Sequence, residues 1–383
     1  MLIINGRIYL EDRIIENGFI SIKQDKIVSF GEMANAPTDE DVIDAQGRNV
    51  LPGFIDQHIH GANGADHMDA TQQAIADIAT FLPAEGTTSY LATTMTQAVD
   101  VVNKALTEIE NYRVNYNLAG QAEILGVHLE GPFISKKHVG AQNPNFVAKP
   151  TKATFDIFYE ASNQTIKLIT YAPEEAEAGF TDYLRSKGVV PSIGHSDAYF
   201  DQVVAEIPHG LANLTHFHNA MTSHHHRTPG AVTAGFINPK LKAELIVDGI
   251  HLHPAVVKAT YEIKGADNII LITDAMRAKG LPDGKYDLGG QEVTKIGKEC
   301  RIENGALAGS VAEMNYVVAN FRKFTGAPLS DVVKVASYNP ARQIGVLDRK
   351  GSIAIGKDAD VIIIDDDINV YTTICRGKLA YQK

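Results

Sequence analysis

Three His-x-His pairs at the ends of predicted strands are the clearest chemical signal in this 383-residue sequence. They are His58/His60, His216/His218 and His251/His253. Side chains two residues apart on a strand point to the same face, so each pair could hold one metal ion between two imidazoles. Spacing alone does not rank the three pairs, and one site with one or two ions is expected. Some of these histidines are therefore expected to have other roles.

Further acids and histidines come at the ends of apolar runs. Glu130 ends EILGVHLE, His195 follows VVPSIG, and Asp274 follows NIILIT. A buried His, Glu or Asp without a partner costs free energy, so a group of them implies a compensating charge. Divalent metals accept imidazole nitrogen and carboxylate oxygen as ligands. The sequence thus predicts metal chemistry, if the fold brings these run ends together.

Eight such runs alternate with helix-like segments along the middle of the chain. They are NVLPGFIDQHIH, TSYLATTM, EILGVHLE, IKLITYAP, VVPSIGHSD, LANLTHFHN, AELIVDGIHLH and NIILITDAM. Amphipathic stretches such as 70–84, 97–112, 175–187 and 254–264 lie between most of them. This rhythm predicts an α/β fold, a (β/α)8 barrel over residues 52–345, whose strand ends form one rim. A doubly wound open sheet is the alternative, but no GxGxxG follows the first run.

Both ends of the chain are rich in β-type sequence. Residues 1–51 and 346–383 are predicted to pair into one small β-sandwich domain. The Gly-rich segment 277–311 is expected to be an insertion that carries a hairpin, followed by helices at 312–325 and 329–337. The barrel is therefore expected to be flanked by a module built from both termini.

Composition limits the classes of partner. A formal net charge of -11 argues against nucleic acid, although one local Arg or Lys pocket would suffice for a small phosphorylated ligand. Two cysteines imply no disulfide framework. No apolar run approaches the roughly 20 residues of a membrane helix. We therefore expect a cytoplasmic protein without nucleic-acid or membrane partners.

Several segments resemble the amidohydrolase superfamily, namely PGFIDQHIHG, HLEGPF, GHSDA, TH…NAM, LITDAM and GSIAIGKDADVIIID. A second set is similar to one family within it, the N-acetylglucosamine-6-phosphate deacetylases: HLEGPFI, GAQNP, NAM…HHRTPG, DGIHLHP and ITDAMRAKGLPDG. The similarity runs essentially from end to end. It implies hydrolysis of N-acetyl-D-glucosamine 6-phosphate to D-glucosamine 6-phosphate and acetate, by a metal-activated water.

The resemblance also assigns metal ligands and catalytic groups. It implies a main metal site at Glu130, His195 and His216, and a second ion at His58 and His60 that Glu130 would bridge. The metal would be Zn²⁺ or Fe²⁺, one or two per subunit. Asp274 would act as general base and then general acid, and His251 would stabilise the carbonyl oxygen.

Substrate contacts are implied by the same resemblance, and so is a homodimer whose active site borrows from its neighbour. The implied contacts are Ala141, Gln142, Asn219, Ala220, His226, Arg227, Asp248, His251, Leu307, Ala308 and Gly309. Arg227 is the candidate phosphate clamp, because a guanidinium binds phosphate oxygens in a planar fork. Many family members have His at the position of Gln142, and that His helps to polarise the carbonyl. Gln142 cannot carry charge, so the second metal could take over the polarisation here.

The remaining histidines are expected to be structural or exposed. His218 stands where the family often has an aromatic residue and is expected to pack or to support a ligand. His224 and His225 are expected in an exposed loop or a subunit contact. His253 precedes Pro254 at a predicted helix start and is expected to be structural.

Other functions stay open at this point. Another amidohydrolase, such as a cyclic amidase or a deaminase, is the nearest alternative, but cyclic amidases commonly use a carboxylated Lys where this chain has Glu130. A catalytically silent barrel would serve as a binding or scaffold protein. A metal-storage protein would hold several ions in the histidine cluster. Asp274 could also be a helix N-cap.

Overall fold

The structure, a computed structural model, describes residues 1–38 and 41–383. The N-terminal segment forms five strands, as its sequence predicts. They are β1 (Leu2–Tyr9), β2 (Ile14–Lys23), β3 (Lys26–Glu32), β4 (Val42–Asp44) and β5 (Asn49–Pro52). β2 and β3 follow β1 as an antiparallel meander, whereas β4 and β5 pair with β1 in parallel.

The middle of the chain forms an eight-stranded parallel barrel, which confirms the predicted fold class. Its strands are β6 (Phe54–Ile59), β9 (Thr87–Thr93), β10 (Glu123–Glu130), β11 (Ile166–Tyr171), β12 (Val190–Ile193), β13 (Asn213–Leu214), β14 (Lys242–Ile246) and β15 (Ile269–Ile272). A short hairpin, β7 (Gly61–Ala62) and β8 (Ala65–Asp66), follows the first strand. Neighbours in the sheet are neighbours in sequence, so the doubly wound alternative is wrong.

The barrel closes at the carboxyl ends of its first and last strands. The backbone N–H of Asp274 donates to the carbonyl of His58 at 2.8 Å, and that of His60 donates to the carbonyl of Ala275 at 2.9 Å. Candidate site residues from β6 and from the end of β15 are thereby placed side by side.

The helices between successive barrel strands pack around the barrel, and their apolar faces share one large core with the outward-facing strand residues. They are α1 (Gln72–Phe81), α2 (Val99–Asn115), α3 (Lys152–Ala161), α4 (Phe180–Ser186), α5 (Phe200–Glu206), α6 (Ala231–Ile237) and α7 (Pro254–Lys264). Thr71 and Thr151 cap α1 and α3 by accepting backbone N–H bonds. No helix of the described chain is long and apolar enough to cross a membrane.

The segment after β15 is a hairpin insertion followed by helices, as predicted. Three antiparallel strands form it: β16 (Gly284–Leu288), β17 (Gln291–Ile296) and β18 (Glu299–Ile302). The helices are α8 (Met314–Thr325), α9 (Leu329–Val333) and α10 (Asn339–Gln343), with a π-helical turn at Lys334–Tyr338 between the last two.

The C-terminal strands complete the sheet begun by the N-terminus. They are β19 (Val361–Ile364), β20 (Val370–Cys375) and β21 (Lys378–Gln382), and β19 pairs with β5. Alternate residues of β19 face two cores: Val361 and Ile363 pack in the terminal module, and Ile362 and Ile364 pack against the barrel. The terminal sheet thus packs against the barrel through one face of β19. The predicted domain boundaries at 51/52 and 345/346 stay a prediction.

The barrel interior is layered from apolar to polar. Ile55, Leu91 and Leu168 lie with Ala341 and Ile344 in one buried cluster at the start of the strands. Two residues further along β6 and β11, on the same face, come Gln57 and Thr170, which are also fully buried. Polar groups therefore begin inside the barrel, below the rim.

Candidate metal centre and active site

The structure brings the six candidate acids and histidines of the sequence together at the carboxyl ends of the barrel strands. They are His58, His60, Glu130, His195, His216 and Asp274, each at most 8% exposed. Three of them have left-handed backbone, with φ of 48° at His195, 33° at His216 and 48° at Asp274. Such φ values are unfavourable for these residue types and cluster at functional sites, so the strain marks this rim as functional.

The six residues fall into two groups of potential ligand atoms. Within each group the ligand atoms lie within 4.8 Å of one another: His58, His60 and Asp274 in one, and Glu130, His195 and His216 in the other. Glu130 belongs to the second group and also contacts the first. Its Oε1 is 3.3 Å from His195 Nε2 and 3.2 Å from His216 Nε2, and its Oε2 is 3.2 Å from His60 Nε2.

The arrangement fits a divalent cation. The Nε2 atoms of His195 and His216 lie 3.0 Å apart, beside the same carboxylate oxygen. His58 Nε2 is buried and has no hydrogen-bond partner, although Asp274 Oδ1 is 3.4 Å away. A shared cation would satisfy these nitrogens, and imidazole and carboxylate are its usual ligands.

The electrostatics of the rim also favour a bound cation. Burial lowers the pKa of His60, but its hydrogen bonds to Asp274 and Glu130 outweigh burial and raise that pKa to about 9. Burial raises the pKa of Asp274, but His58 and His60 outweigh it and hold that pKa below its usual value. The carboxylates therefore stay ionised and the rim favours positive charge.

A cavity of about 410 Å³ opens over these groups, large enough for a sugar phosphate. Twelve of the predicted site residues line it: His60, Glu130, Ala141, Gln142, His195, His216, Asn219, Ala220, His251, Asp274, Leu307 and Gly309. His251 Nδ1 bonds to Asp248 Oδ2 at 2.7 Å, which fixes the ring.

Comparison with known proteins places this arrangement in a family. The family model described as "Amidohydrolase family" matches residues 49–380. The chain belongs to the amidohydrolase family. That match covers the barrel and the returning C-terminal strands that the sequence analysis expected.

Individual relatives are similar over their whole length. An N-acetylglucosamine-6-phosphate deacetylase of Bacillus subtilis is 39% identical over 100% of this chain and 97% of its own. An N-acetylgalactosamine-6-phosphate deacetylase of Escherichia coli O157:H7 is 34% identical over 96% and 97%. The crystal structure of N-acetylglucosamine-6-phosphate deacetylase from Thermotoga maritima superposes with a TM-score of 0.90, at 34% identity and full coverage of both chains.

Five predicted site residues of this amidohydrolase do not line the cavity. His58, Asp248 and Ala308 are buried next to it. The Asp248 carboxylate accepts from the backbone N–H groups of Ile250 and His251 and bonds to the His251 ring, and its contact with substrate stays a prediction. The other two, His226 and Arg227, are exposed on a loop and contact each other at 2.6 Å.

Gln142 supports the carboxylate of Glu130. Its Nε2 donates to Glu130 Oε2 at 2.8 Å, and its Oε1 accepts from the backbone N–H of Thr96 at 2.8 Å. Both ends of the amide are therefore engaged, and Gln142 orients Glu130 in addition to lining the cavity.

Sequence reasoning missed several lining residues of the amidohydrolase cavity: Met95, Lys137, His138, Gly140, Ile246, Leu288 and Ala306. The basic run KKH before GAQNP was a usable signal, because cations beside a predicted substrate segment suit an anionic ligand. His138 also matters through its carbonyl, which accepts from His195 Nδ1 at 2.7 Å. The apolar members carried no signal.

The other histidines lie outside both ligand groups. His218 Nε2 lies 3.0 Å from Thr260 Oγ1, and the ring packs between Phe217 and Phe236. His253 caps α7 by accepting from the backbone of Ala255. His224 and His225 are exposed, as expected. The helix-cap alternative for Asp274 is wrong, because no helix begins there.

Proposed function

We propose that this amidohydrolase is a metal-dependent deacetylase that hydrolyses N-acetyl-D-glucosamine 6-phosphate to D-glucosamine 6-phosphate and acetate. The observation that carries the proposal is the position of Glu130 between two histidine groups, with Asp274 in the wall of the same cavity. The names of the full-length relatives support the substrate.

The metal would be held by Glu130, His195 and His216, and a second ion by His58, His60 and Glu130. When bound, a divalent ion lowers the pKa of water and polarises a carbonyl. Zinc and iron both suit imidazole and carboxylate, so either is proposed, with one or two ions per subunit.

The residues of the chain would handle the protons. Asp274 is ionised, and its contacts with His58 and His60 are made through Oδ1, which leaves Oδ2 to take a proton from the attacking water. Asp274 would then pass that proton to the amide nitrogen, which is a poor leaving group until it is protonated. His251, whose Nδ1–H bonds to Asp248, would as an imidazolium donate its Nε2–H to the carbonyl oxygen as charge develops there.

The sugar would lie against Ala141, Gln142, Asn219, Ala220, Leu307 and Gly309. Arg227 and His226 are exposed and do not reach the cavity of their own chain. We therefore place them at the phosphate of a neighbouring subunit in a homodimer. A cytoplasmic location is proposed as well, since Cys300 and Cys375 are free and buried.

An acetate-release assay tests the function. We expect the protein to release acetate from N-acetylglucosamine 6-phosphate with a kcat/KM about 100-fold or more above that for unphosphorylated N-acetylglucosamine, because charge-assisted bonds to phosphate are lost with the phosphate. Equal turnover of both sugars would contradict the phosphate site, and no turnover of either would contradict the deacetylase.

A second candidate substrate is N-acetylgalactosamine 6-phosphate, favoured by the galactosamine specificity in the name of the Escherichia coli relative. The two sugar phosphates differ only in configuration at one hydroxyl. Including both in the assay decides between them, and preference for the galactosamine compound would replace the first substrate while keeping the chemistry.

A further inference from the structure

Glu244 is a buried carboxylate inside the barrel that the proposed reaction does not use. It lies on β14 and is 0% exposed. Its Oε1 accepts hydrogen bonds from Gln57 Nε2 at 2.6 Å and from Asn213 Nδ2 at 2.8 Å. Its Oε2 lies 3.4 Å from His58 Nδ1 and 3.3 Å from the backbone N–H of His216. One side chain thus contacts residues of both ligand groups.

The charge of Glu244 lacks a conventional partner. Among the described residues, no lysine or arginine forms an ion pair with it. Its donors are amides, one backbone N–H and an imidazole. A buried carboxylate costs free energy unless a cation balances its charge. His58 connects Glu244 to the metal rim, so a cation bound by His58 would balance the charge of Glu244.

The four imidazoles of the two groups are not held equally. His58 has its Nδ1 toward Glu244, and His195 donates its Nδ1–H to the carbonyl of His138. The Nδ1 atoms of His60 and His216 are buried and lack a hydrogen-bond partner in the described chain. Each group therefore contains one imidazole whose Nδ1 has a polar partner. A ring that donates through Nδ1 keeps a free lone pair at Nε2, where a ligand needs it.

We propose that Glu244 is a positioning residue for the second metal position, which His58 and His60 form together with Glu130. It accepts the Nδ1–H of His58, presents Nε2 to the ion, and adds negative charge that favours a cation there. Its contact with His216 is to the backbone and leaves that imidazole alone. Glu244 therefore governs the second ion and not the first. This inference rests on the metal-dependent function proposed above.

Stepwise metal binding tests it. We compare the full-length chain with Glu244→Gln, and with Asp56→Asn as the matched control. Asp56 is also a fully buried barrel carboxylate, but it accepts from the backbone of His58 and from Thr273, not from an imidazole. Metal-free proteins are titrated with Zn²⁺ in competition with a chelator, and bound zinc is counted by elemental analysis.

We expect the parent chain to bind two zinc ions. Glu244→Gln should keep the affinity of the first ion and weaken the second about 10–100-fold, the usual effect of removing a group that orients a ligand. Asp56→Asn should match the parent in both steps. Unchanged binding of the second ion by Glu244→Gln overturns the inference, and so does equal weakening of both ions in a protein whose circular dichroism is unchanged.

Failure of the inference and failure of the proposed function give different results. A parent chain that binds one ion and still releases acetate overturns the role of Glu244 alone. A parent chain that binds no zinc overturns both.

A measurement on the parent chain covers the case in which Glu244→Gln does not fold. With ¹⁵N-labelled histidine in the zinc-loaded protein, NMR should detect His58 as bound through Nε2, with an exchange-protected Nδ1–H. Coordination of His58 through Nδ1 overturns the inference.

Discussion

Asp274 and Glu130 are both buried acids on one rim, but their contacts differ. Glu130 uses both oxygens, toward the histidines of both groups and toward Gln142. Asp274 approaches His58 and His60 through Oδ1 and forms part of the cavity wall. A carboxylate that is saturated by neighbours suits a bridging ligand, whereas one with a free oxygen suits proton transfer.

This difference predicts the effect of Asp274→Asn. The amide cannot accept a proton, so kcat should fall about 10²–10⁴-fold, the usual contribution of a general acid–base group. The metal bound by Glu130, His195 and His216 should be retained, as elemental analysis would show. The exposed Asp201 serves as a control, and Asp201→Asn should keep full activity. Full turnover by Asp274→Asn would contradict the assigned role.

At the residue scale, the sequence predicted which acids and histidines lie together at the rim, but it did not predict how their side chains are oriented. His58, His195 and Asp274 were found because polar residues stand out at the ends of apolar runs. The contact between the Asp248 carboxylate and His251 could not be predicted, because spacing does not reveal side-chain orientation. Glu244 was missed, although a lone acid inside the apolar run AELIV is itself a signal of a buried polar contact.

At the scale of elements, a buried ion cluster joins the barrel to the terminal sheet. Lys350 is 1% exposed, and its Nζ lies 2.7 Å from Glu123 at the start of β10 and 3.1 Å from Asp358 before β19. Asp360 also pairs with it. Arg349 contacts Glu123 at 2.8 Å and Asp358 at 2.6 Å. The cluster fixes where the returning chain meets the barrel.

The cluster predicts a loss of stability in acid. Burial raises the pKa of Glu123 and of Asp358, but Lys350 and Arg349 outweigh it and lower both to about 2, from 4.5 and 3.8. Because the folded-state pKa values lie below the unfolded ones, this stabilisation is complete above about pH 5 and is lost as the pH falls towards 2. The apparent Tm, measured by circular dichroism between pH 6 and 2.5, should fall across this window.

The Lys350→Met variant isolates the contribution of Lys350 to the stability of the fold. Removing the cation from buried carboxylates should cost about 3–5 kcal/mol near neutral pH. The difference in Tm from the parent chain should shrink as the pH falls, because protonated carboxyls no longer need Lys350. The matched control is Lys285→Met, which removes an exposed ion pair with Glu292 and should change Tm little. A difference in Tm that is constant with pH would contradict the assignment.

The sequence predicted the elements themselves because hydrophobic periodicity is a local property. All eight barrel strands were found, and the insertion and the terminal strands were found too. The strand β13 is only Asn213–Leu214, shorter than its run LANLTHFHN indicates, since the chain turns at His216 with a φ of 33°. Register and loop position depend on contacts between distant residues, which no local pattern contains.

At the scale of the whole molecule, the loop with His226 and Arg227 lies away from the cavity of its own chain. Both side chains are exposed, and neither lines the cavity. The cavity itself has few cations, with Lys137 at its edge already 2.5 Å from Asp197. A guanidinium binds phosphate oxygens in a planar fork, and Arg227 of a second subunit would supply one, which is the arrangement we propose.

Mixing two impaired variants, assayed at a substrate concentration well below the KM of Arg227→Ala, tests that proposal. Arg227→Ala should raise KM for the phosphorylated sugar, and Asp274→Asn should lower kcat about 10²–10⁴-fold. If Arg227 acts across a two-fold interface, a mixed dimer has one cavity with both lesions and one with neither. Co-refolding the variants in equal amounts should then restore about one quarter of the parent activity, because half of the dimers are mixed. If Arg227 instead served its own cavity, every cavity would keep a lesion, and assays of the mixture would give only the average of the two variants.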